Sequence, residues 1–223
     1  MKINIAIDGP SAAGKSTIAK KLAEKLGYVH LDTGAMYRCT ALKAVRSGIA
    51  LDDEASVCAM LEDTDIRLLS TGEVFMDGED VSQAIRTDEN SLAASAVSKL
   101  PKVREELVRR QQKMAEEKGY IMDGRDIGTV VLKDAEVKIF MTASPEARAE
   151  RRYKQNIEKG IPTSDIATIA EEIRQRDYED THRAASPLKK ADDATEIDTS
   201  YMTIEEVCSA IYALAEPFLN REA

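Results

Sequence analysis

Ile3-Asn4-Ile5-Ala6-Ile7-Asp8-Gly9-Pro10-Ser11-Ala12-Ala13-Gly14-Lys15-Ser16-Thr17 is the stretch on which the fold turns. Its first half is short and almost continuously apolar, the pattern of a strand covered on both faces. From Gly9 to Ser16 it matches GxxxxGK[ST], and residues 15–26 beyond it carry a helical pattern, so the loop joins a strand to a helix as that motif requires. Glycines there let the backbone wrap around a polyphosphate with its N–H groups turned inward, and the following helix adds its positive N-terminal end. Lys15 is placed to reach the outer phosphates, and Ser16 to ligate Mg²⁺.

Outward from this loop, further strand-like runs occupy residues 28–31, 120–123, 137–142 and 194–198. Helical patterns occupy 15–26, 35–47, 101–118, 145–159, 166–180 and 204–219. Apolar strands alternating with helices indicate a parallel sheet flanked by helices on both faces, an α/β doubly wound fold. Two stretches break the alternation. Residues 65–86 read as short strands with turns at Thr71-Gly72 and Asp77-Gly78, the second a strong hairpin signal, and so as a small antiparallel β insert. Residues 154–168 hold Gly160 and Pro162 between charged helices, which suits a mobile lid as well as a plain helical hairpin.

A chain of 223 residues is long enough for one catalytic domain with a substantial core. No apolar run approaches the roughly 18 residues that cross a bilayer, and the N-terminal run lacks a cleavage pattern, so a cytoplasmic protein is expected. The formal charge of −9 argues against nucleic-acid and anionic-membrane partners, which need a broad positive field. Anions must then be held by local arginine clusters. Cys39, Cys58 and Cys208 are too few and too scattered for a disulfide framework or a metal site, and read as structural. His30 and His182 read as ordinary polar residues, which disfavours a histidine-centred hydrolase. A monomer is expected.

The loop alone leaves the reaction open. A GTPase needs an NKxD guanine reader, and none of Asn4, Asn90, Asn156 or Asn220 precedes a lysine. A motor or transporter ATPase normally shows a strand ending in Asp-Glu, whereas Asp123 precedes Gly124. A small-molecule kinase using ATP remains. Arg38 and Arg125 follow predicted strands, at the carboxyl ends where open α/β sheets bind ligands, and their forked donors suit phosphate oxygens. For Arg148, Arg151 and Arg152 a functional role and a solvated helix face are both open on spacing alone. Arg174, Arg176 and Arg183 form a third cluster.

Over essentially its whole length the chain resembles the bacterial cytidylate kinases, the CMP/dCMP kinases of the nucleoside monophosphate kinase group. The resemblance rests on Asp8-Gly9-Pro10-Ser11, on 31–38 (Leu-Asp-Thr-Gly-Ala-Met-Tyr-Arg), on Asp80-Val81-Ser82, Ile85-Arg86-Thr87 and Val103-Arg104-Glu105. It continues through Asp123-Gly124-Arg125-Asp126-Ile127-Gly128-Thr129, Glu150-Arg151-Arg152, Arg176-Asp177, Asp180, Arg183 and Ser186-Pro187-Leu188. The resemblance implies a five-stranded parallel core, a short lid at about 154–168, and a CMP-binding segment at about 33–100 carrying the β insert. It implies that Gly9, Pro10, Ser11, Ala12, Ala13, Gly14, Lys15, Ser16 and Thr17 bind ATP. Tyr37, Arg38, Ser95, Arg104, Arg125, Asp126, Arg176, Asp180 and Arg183 would form the CMP site. Within that set Arg38, Arg125 and Arg183 would take the phosphate, Ser95, Arg104 and Asp126 the base, and Arg176 and Asp180 would lie near the sugar. Lys15, with Arg148 or Arg152 from the lid side, would act on the transferred phosphate. Ser16 stands where some relatives have glycine, which strengthens direct Mg²⁺ ligation.

Such chemistry needs no catalytic histidine, because a phosphate acceptor with a second pKa near 6 is largely ionised at neutral pH. The alternatives are another P-loop small-molecule kinase, acting on UMP, AMP or shikimate, and a P-loop regulatory protein without turnover. Arg104, Asp126 and Ser95 count against the first by offering polar groups to a base. Arginines aimed at a second phosphate count against the other.

Overall fold

In the computed structural model, which describes residues 2–69, 71–158, 160, 161 and 163–220, the opening apolar run forms β1 (Ile5–Asp8), buried at every position. It is followed by α1 (Lys15–Leu26), β2 (Val29–Asp32), α2 (Thr33–Arg46) and α3 (Glu54–Glu62). A small sheet comes next, made of β3 (Ile66–Leu68), β4 (Val74–Met76) and β5 (Glu79–Asp80), then α4 (Asp88–Val97) and α5 (Pro101–Met114). The chain returns to the main sheet with β6 (Tyr120–Gly124), makes a π-helical turn at Ile127–Val131, and continues through β7 (Val137–Thr142), α6 (Pro145–Glu158), α7 (Ile166–His182), β8 (Thr195–Asp198) and α8 (Ile204–Leu219).

The main sheet has the order β2-β6-β1-β7-β8, and every pairing in it is parallel. Side chains of β1 alternate between the two faces of the main sheet, as the period of a strand requires. Ile5 and Ile7 join Ile18 and Leu22 of α1 and Val207 and Ile211 of α8 on one face, while Ala6 joins Leu31, Met122 and Ile127 on the other. The five-stranded parallel sheet with helices on both faces is the expected fold.

The antiparallel insert is also present. Asp77 and Gly78, both at positive φ (52° and 85°), make the two-residue turn between β4 and β5, the geometry a tight hairpin needs. Met76 and Val74 of this sheet pack with Val57 and Leu61 of α3, Met36 and Cys39 of α2, and Val103 and Leu107 of α5 in a second core. Helices α3 and α4 were not legible as periodic patterns. The first buries only Val57 and Leu61, and the second buries the small residues Ala93 and Ala94 with Val97, so neither shows a strong apolar stripe. The helix expected over 101–118 stops at Met114, and Lys118 at φ 58° turns the chain into β6. Lys159, the last residue of the helix expected over 145–159, and Pro162, within the expected lid, lie outside the described residues. Among the described residues no helix is long and apolar enough to cross a membrane.

The register brings several carboxyl ends together. Asp8 lies beside Gly124, and Asp32 beside Asp123, so the ends of β1, β2 and β6 converge on one edge of the sheet.

Candidate active site

The loop after β1 is shaped by a close approach. Gly9 sits at φ 149°, and a Cβ there would lie 2.1 Å from the Met141 carbonyl oxygen, so no other residue fits. Three carbonyls of the loop are taken by side chains of the protein itself. Pro10 O accepts from Lys15 Nζ (2.8 Å), Ser11 O from Arg148 Nη1 (3.1 Å), and Ala13 O from Thr199 Oγ1 (3.3 Å). Helix α1 begins after Gly14 with no side-chain cap, whereas α2, α4, α7 and α8 are capped by Asp32, Thr87, Asp165 and Thr203. An uncapped helix N-terminus at the mouth of a cavity is suited to an anion.

Ser16 Oγ donates to Asp123 Oδ2 at 2.8 Å, and His30 Nε2–H donates to Asp123 Oδ1 at 2.7 Å. Burial alone would raise the Asp123 pKa, but His30, Lys15 and Ser16 outweigh it and hold the carboxyl below its usual range. Asp123 was not among the expected site residues. Its signal in the sequence is an apolar strand ending in Asp, obscured because the next residue is Gly124. Lys15 is buried, and burial followed by the nearby Arg125 brings its ammonium down to about 7.

A cavity of about 670 Å³ runs from this loop to the second core. Ser11, Ala12, Gly14, Lys15, Ser16 and Thr17 line one end of it, whereas Gly9, Pro10 and Ala13 do not reach its wall. All nine residues expected for the acceptor line the same cavity: Tyr37, Arg38, Ser95, Arg104, Arg125, Asp126, Arg176, Asp180 and Arg183. They come from α2, α4, α5, the segment after β6, α7 and the residue that ends α7. Arg86, which no spacing argument marked, lines it too, 3.8 Å from Asp32.

Within this group Arg104 and Asp126 form a buried pair, Nη2 to Oδ2 at 2.5 Å. Arg104 also donates to Ser98 O, and its guanidinium lies 5.2 Å from the Tyr37 ring centroid, a cation–π contact. Arg125 Nε donates to Asp180 Oδ2 at 2.7 Å. Burial would raise Asp180, but Arg125, Arg176 and Arg183 more than offset it and keep the carboxyl below the usual range. Cations nevertheless outnumber their partners. Burial, together with neighbouring arginines, lowers Arg38 and Arg183 and brings Arg176 to about 10. Arg38 Nε, Arg104 Nε, Arg176 Nε and Arg183 Nη2 have no hydrogen-bond partner among the described residues. Buried donors left in this condition call for an acceptor, and a phosphate supplies several.

The two lid-side arginines are placed differently. Arg152 lines the cavity. Arg148 does not: it is buried, with Nε on Ala143 O, Nη1 on Ser11 O, and Nη1 and Nη2 forked onto Asp177 at 3.0 and 2.5 Å. Every nitrogen of Arg148 is thus engaged, and its two terminal nitrogens fasten the loop to α7. Helices α6 and α7 pack together as a hairpin, held by Ala149 against Ile169, Ala170 and Ile173, and Gln155, Asn156 and Ile161 border the cavity. Burial pushes the Cys39 thiol up to about 12, consistent with a structural role.

A family model described as cytidylate kinase matches residues 5–217. The cytidylate kinase of Bacillus licheniformis is 52% identical over 219 residues, which cover 96% of each chain. That of Listeria monocytogenes is 51% identical over 222 residues, 98% of each chain. Among solved structures, an uncharacterized protein from Eubacterium ventriosum is similar with a TM-score of 0.54 at 12% identity, over 97% of this chain and 99% of that one, a likeness of fold alone.

Proposed function

This chain belongs to the cytidylate kinase family, and from that premise we propose that it moves the γ-phosphate of ATP onto CMP or dCMP, giving CDP or dCDP. The observation that carries the proposal is the shared cavity: an uncapped phosphate-binding loop at one end and a base-sized polar pair among buried arginines at the other.

In this reading the loop from Gly9 to Thr17 cradles the ATP phosphates. Ser16 and Asp123 offer a hydroxyl and a carboxylate 2.8 Å apart beside Lys15, a donor set that suits a small hard cation taking one carboxylate together with substrate phosphates. Mg²⁺ held there would neutralise charge on the phosphates during transfer. Arg38, Arg125 and Arg183 hold the acceptor phosphate, Arg176 and Asp180 the sugar side, and Ser95, Arg104 and Asp126 the base, with Tyr37 supporting Arg104. Lys15 and Arg152 face the transferred group, while Arg148 keeps the loop in shape. The acceptor oxygen is already ionised at neutral pH, so no side chain has to remove a proton. Catalysis then reduces to alignment of two polyanions, charge compensation and exclusion of water. The proposal is of a single catalytic domain working as a monomer in the cytoplasm.

The test is a coupled ADP-release assay with CMP, dCMP, UMP, AMP and shikimate as acceptors. CMP and dCMP should support turnover far above the rest. Turnover with shikimate or AMP and none with the cytidine nucleotides would overturn the proposal.

A further inference from the structure

Asp8 ends β1 and immediately precedes the phosphate-binding loop, yet it does not line the cavity. Its carboxylate is buried, 4% exposed, and reaches sideways to the backbone that follows β6. Oδ1 accepts from Ile127 N at 2.7 Å and Oδ2 from Gly128 N at 2.7 Å. Two consecutive N–H groups on the two oxygens of one carboxylate fix that backbone in both position and orientation. The residues just before them are Arg125 and Asp126, the first on the acceptor phosphate and the second on the base in the reading above.

Gly128 is fitted to this arrangement. A Cβ there would lie 3.4 Å from Asp8 Oδ2 and 3.3 Å from Lys138 Cδ, so a side chain would press directly on the carboxylate contact. Burial, with Asp126 nearby, pushes Asp8 up to about 6 although both N–H groups and Lys15 pull the other way. It is therefore largely ionised at neutral pH, the form in which both oxygens accept.

We propose that Asp8 is a positioning residue for the acceptor nucleotide: from the strand that bears the donor loop, its carboxylate holds the backbone that aims Arg125 and Asp126. The inference rests on the proposed (d)CMP kinase activity and assigns a role to a residue that touches neither nucleotide. Its consequence is a directional coupling. Disturbing Asp8 displaces acceptor ligands while the loop that binds ATP keeps its own ties to Lys15, Arg148 and Thr199.

Asp8→Asn keeps the shape but turns an amide N–H₂ toward one of the two backbone donors, and Gly128→Ala strains the same contact from the other side. In both variants KM for CMP should rise about tenfold or more while KM for ATP stays within about twofold, the pattern expected when the ligands of one substrate are displaced and those of the other are kept. Amide hydrogen exchange at Ile127 and Gly128 should be slow in the unliganded wild type and faster by about tenfold or more in Asp8→Asn. Unchanged KM for CMP in both variants, an equal rise for ATP and CMP, or wild-type amides that exchange as fast as exposed loop positions would overturn the proposal. The exchange measurement needs no substrate, so it judges Asp8 separately from the activity. A wild type inactive on CMP with slow, Asp8-dependent amides would sink the kinase reading and leave Asp8 as the anchor of this backbone.

Discussion

Asp126 and Arg104 present an acceptor and a donor side by side, and cytosine shows the complementary pair, an N4 amino group next to N3. Uracil inverts that order, setting O4 against a carboxylate and N3–H against a guanidinium, and such mismatches discriminate by factors of up to about 10⁴. Asp126→Asn gives an amide that can turn its N–H toward O4. Activity on CMP should fall, and the ratio of kcat/KM for CMP over UMP should narrow by roughly tenfold or more. The variant also leaves Arg104 buried without its counter-charge, so a fall in Tm should accompany the change. Equal loss on both acceptors in a folded variant would mean that Asp126 orients Arg104 and that the base is read elsewhere. At this scale legibility followed locality. Gly9 to Ser16 could be read because the loop's demands lie in eight adjacent residues. Asp123 could not, because its partner Ser16 is 107 positions away and meets it only through the pairing of β1 with β6. Arg148 was legible as an arginine near the site but not as the clamp on Ser11 and Asp177, which depends on how α6 and α7 pack.

Elements divide into those the site uses and those that brace it. The strands and long helices carry strong apolar patterns and were legible, whereas α3 and α4 bury too little, or residues too small, to leave one. The bracing of α5 on α3 depends on Arg110, which donates to Leu61 O and Thr64 O at 2.6 and 2.7 Å and is held in turn by Glu106. Hydrogen bonds from Arg109 and then Arg110 outweigh partial burial and bring Glu106 down to about 2, so its contribution to stability is fully present above pH 4.5 and is lost as pH falls toward 2. Glu106→Gln should lower stability by about 1 kcal/mol or less, because the arginines remain partly in water, with a Tm deficit that disappears over that acid range and kinetics that stay normal. A deficit that persists unchanged at low pH would exclude this ion pair as its source. The α6–α7 hairpin is the element whose role depends on motion. If it closes as a lid, amide exchange across 154–168 should be fast in the free protein and protected when both nucleotides bind. Equal protection in the two states would leave it a static hairpin.

For the whole molecule, the placement of two cores matters most. The main sheet, with α1 and α8, carries the proposed donor loop, while the second core, built from α2, α3, α5 and the β insert, carries Tyr37, Arg38 and Arg104 of the proposed acceptor site. The cavity between them is lined by both. In the proposed reaction the phosphate-binding loop and the arginine cluster are two ends of one cleft, spaced to hold a donor and an acceptor in line. A single molecule with adenosine and cytidine joined through five phosphates should then occupy both ends at once, and isothermal titration should find it binding about 100-fold or more tighter than either ATP or CMP, as linked ligands do when geometry permits joint engagement. The uridine-ended counterpart should lose most of that gain. Affinity no greater than that of ATP alone, with CMP still binding freely beside the linked compound, would contradict the claim.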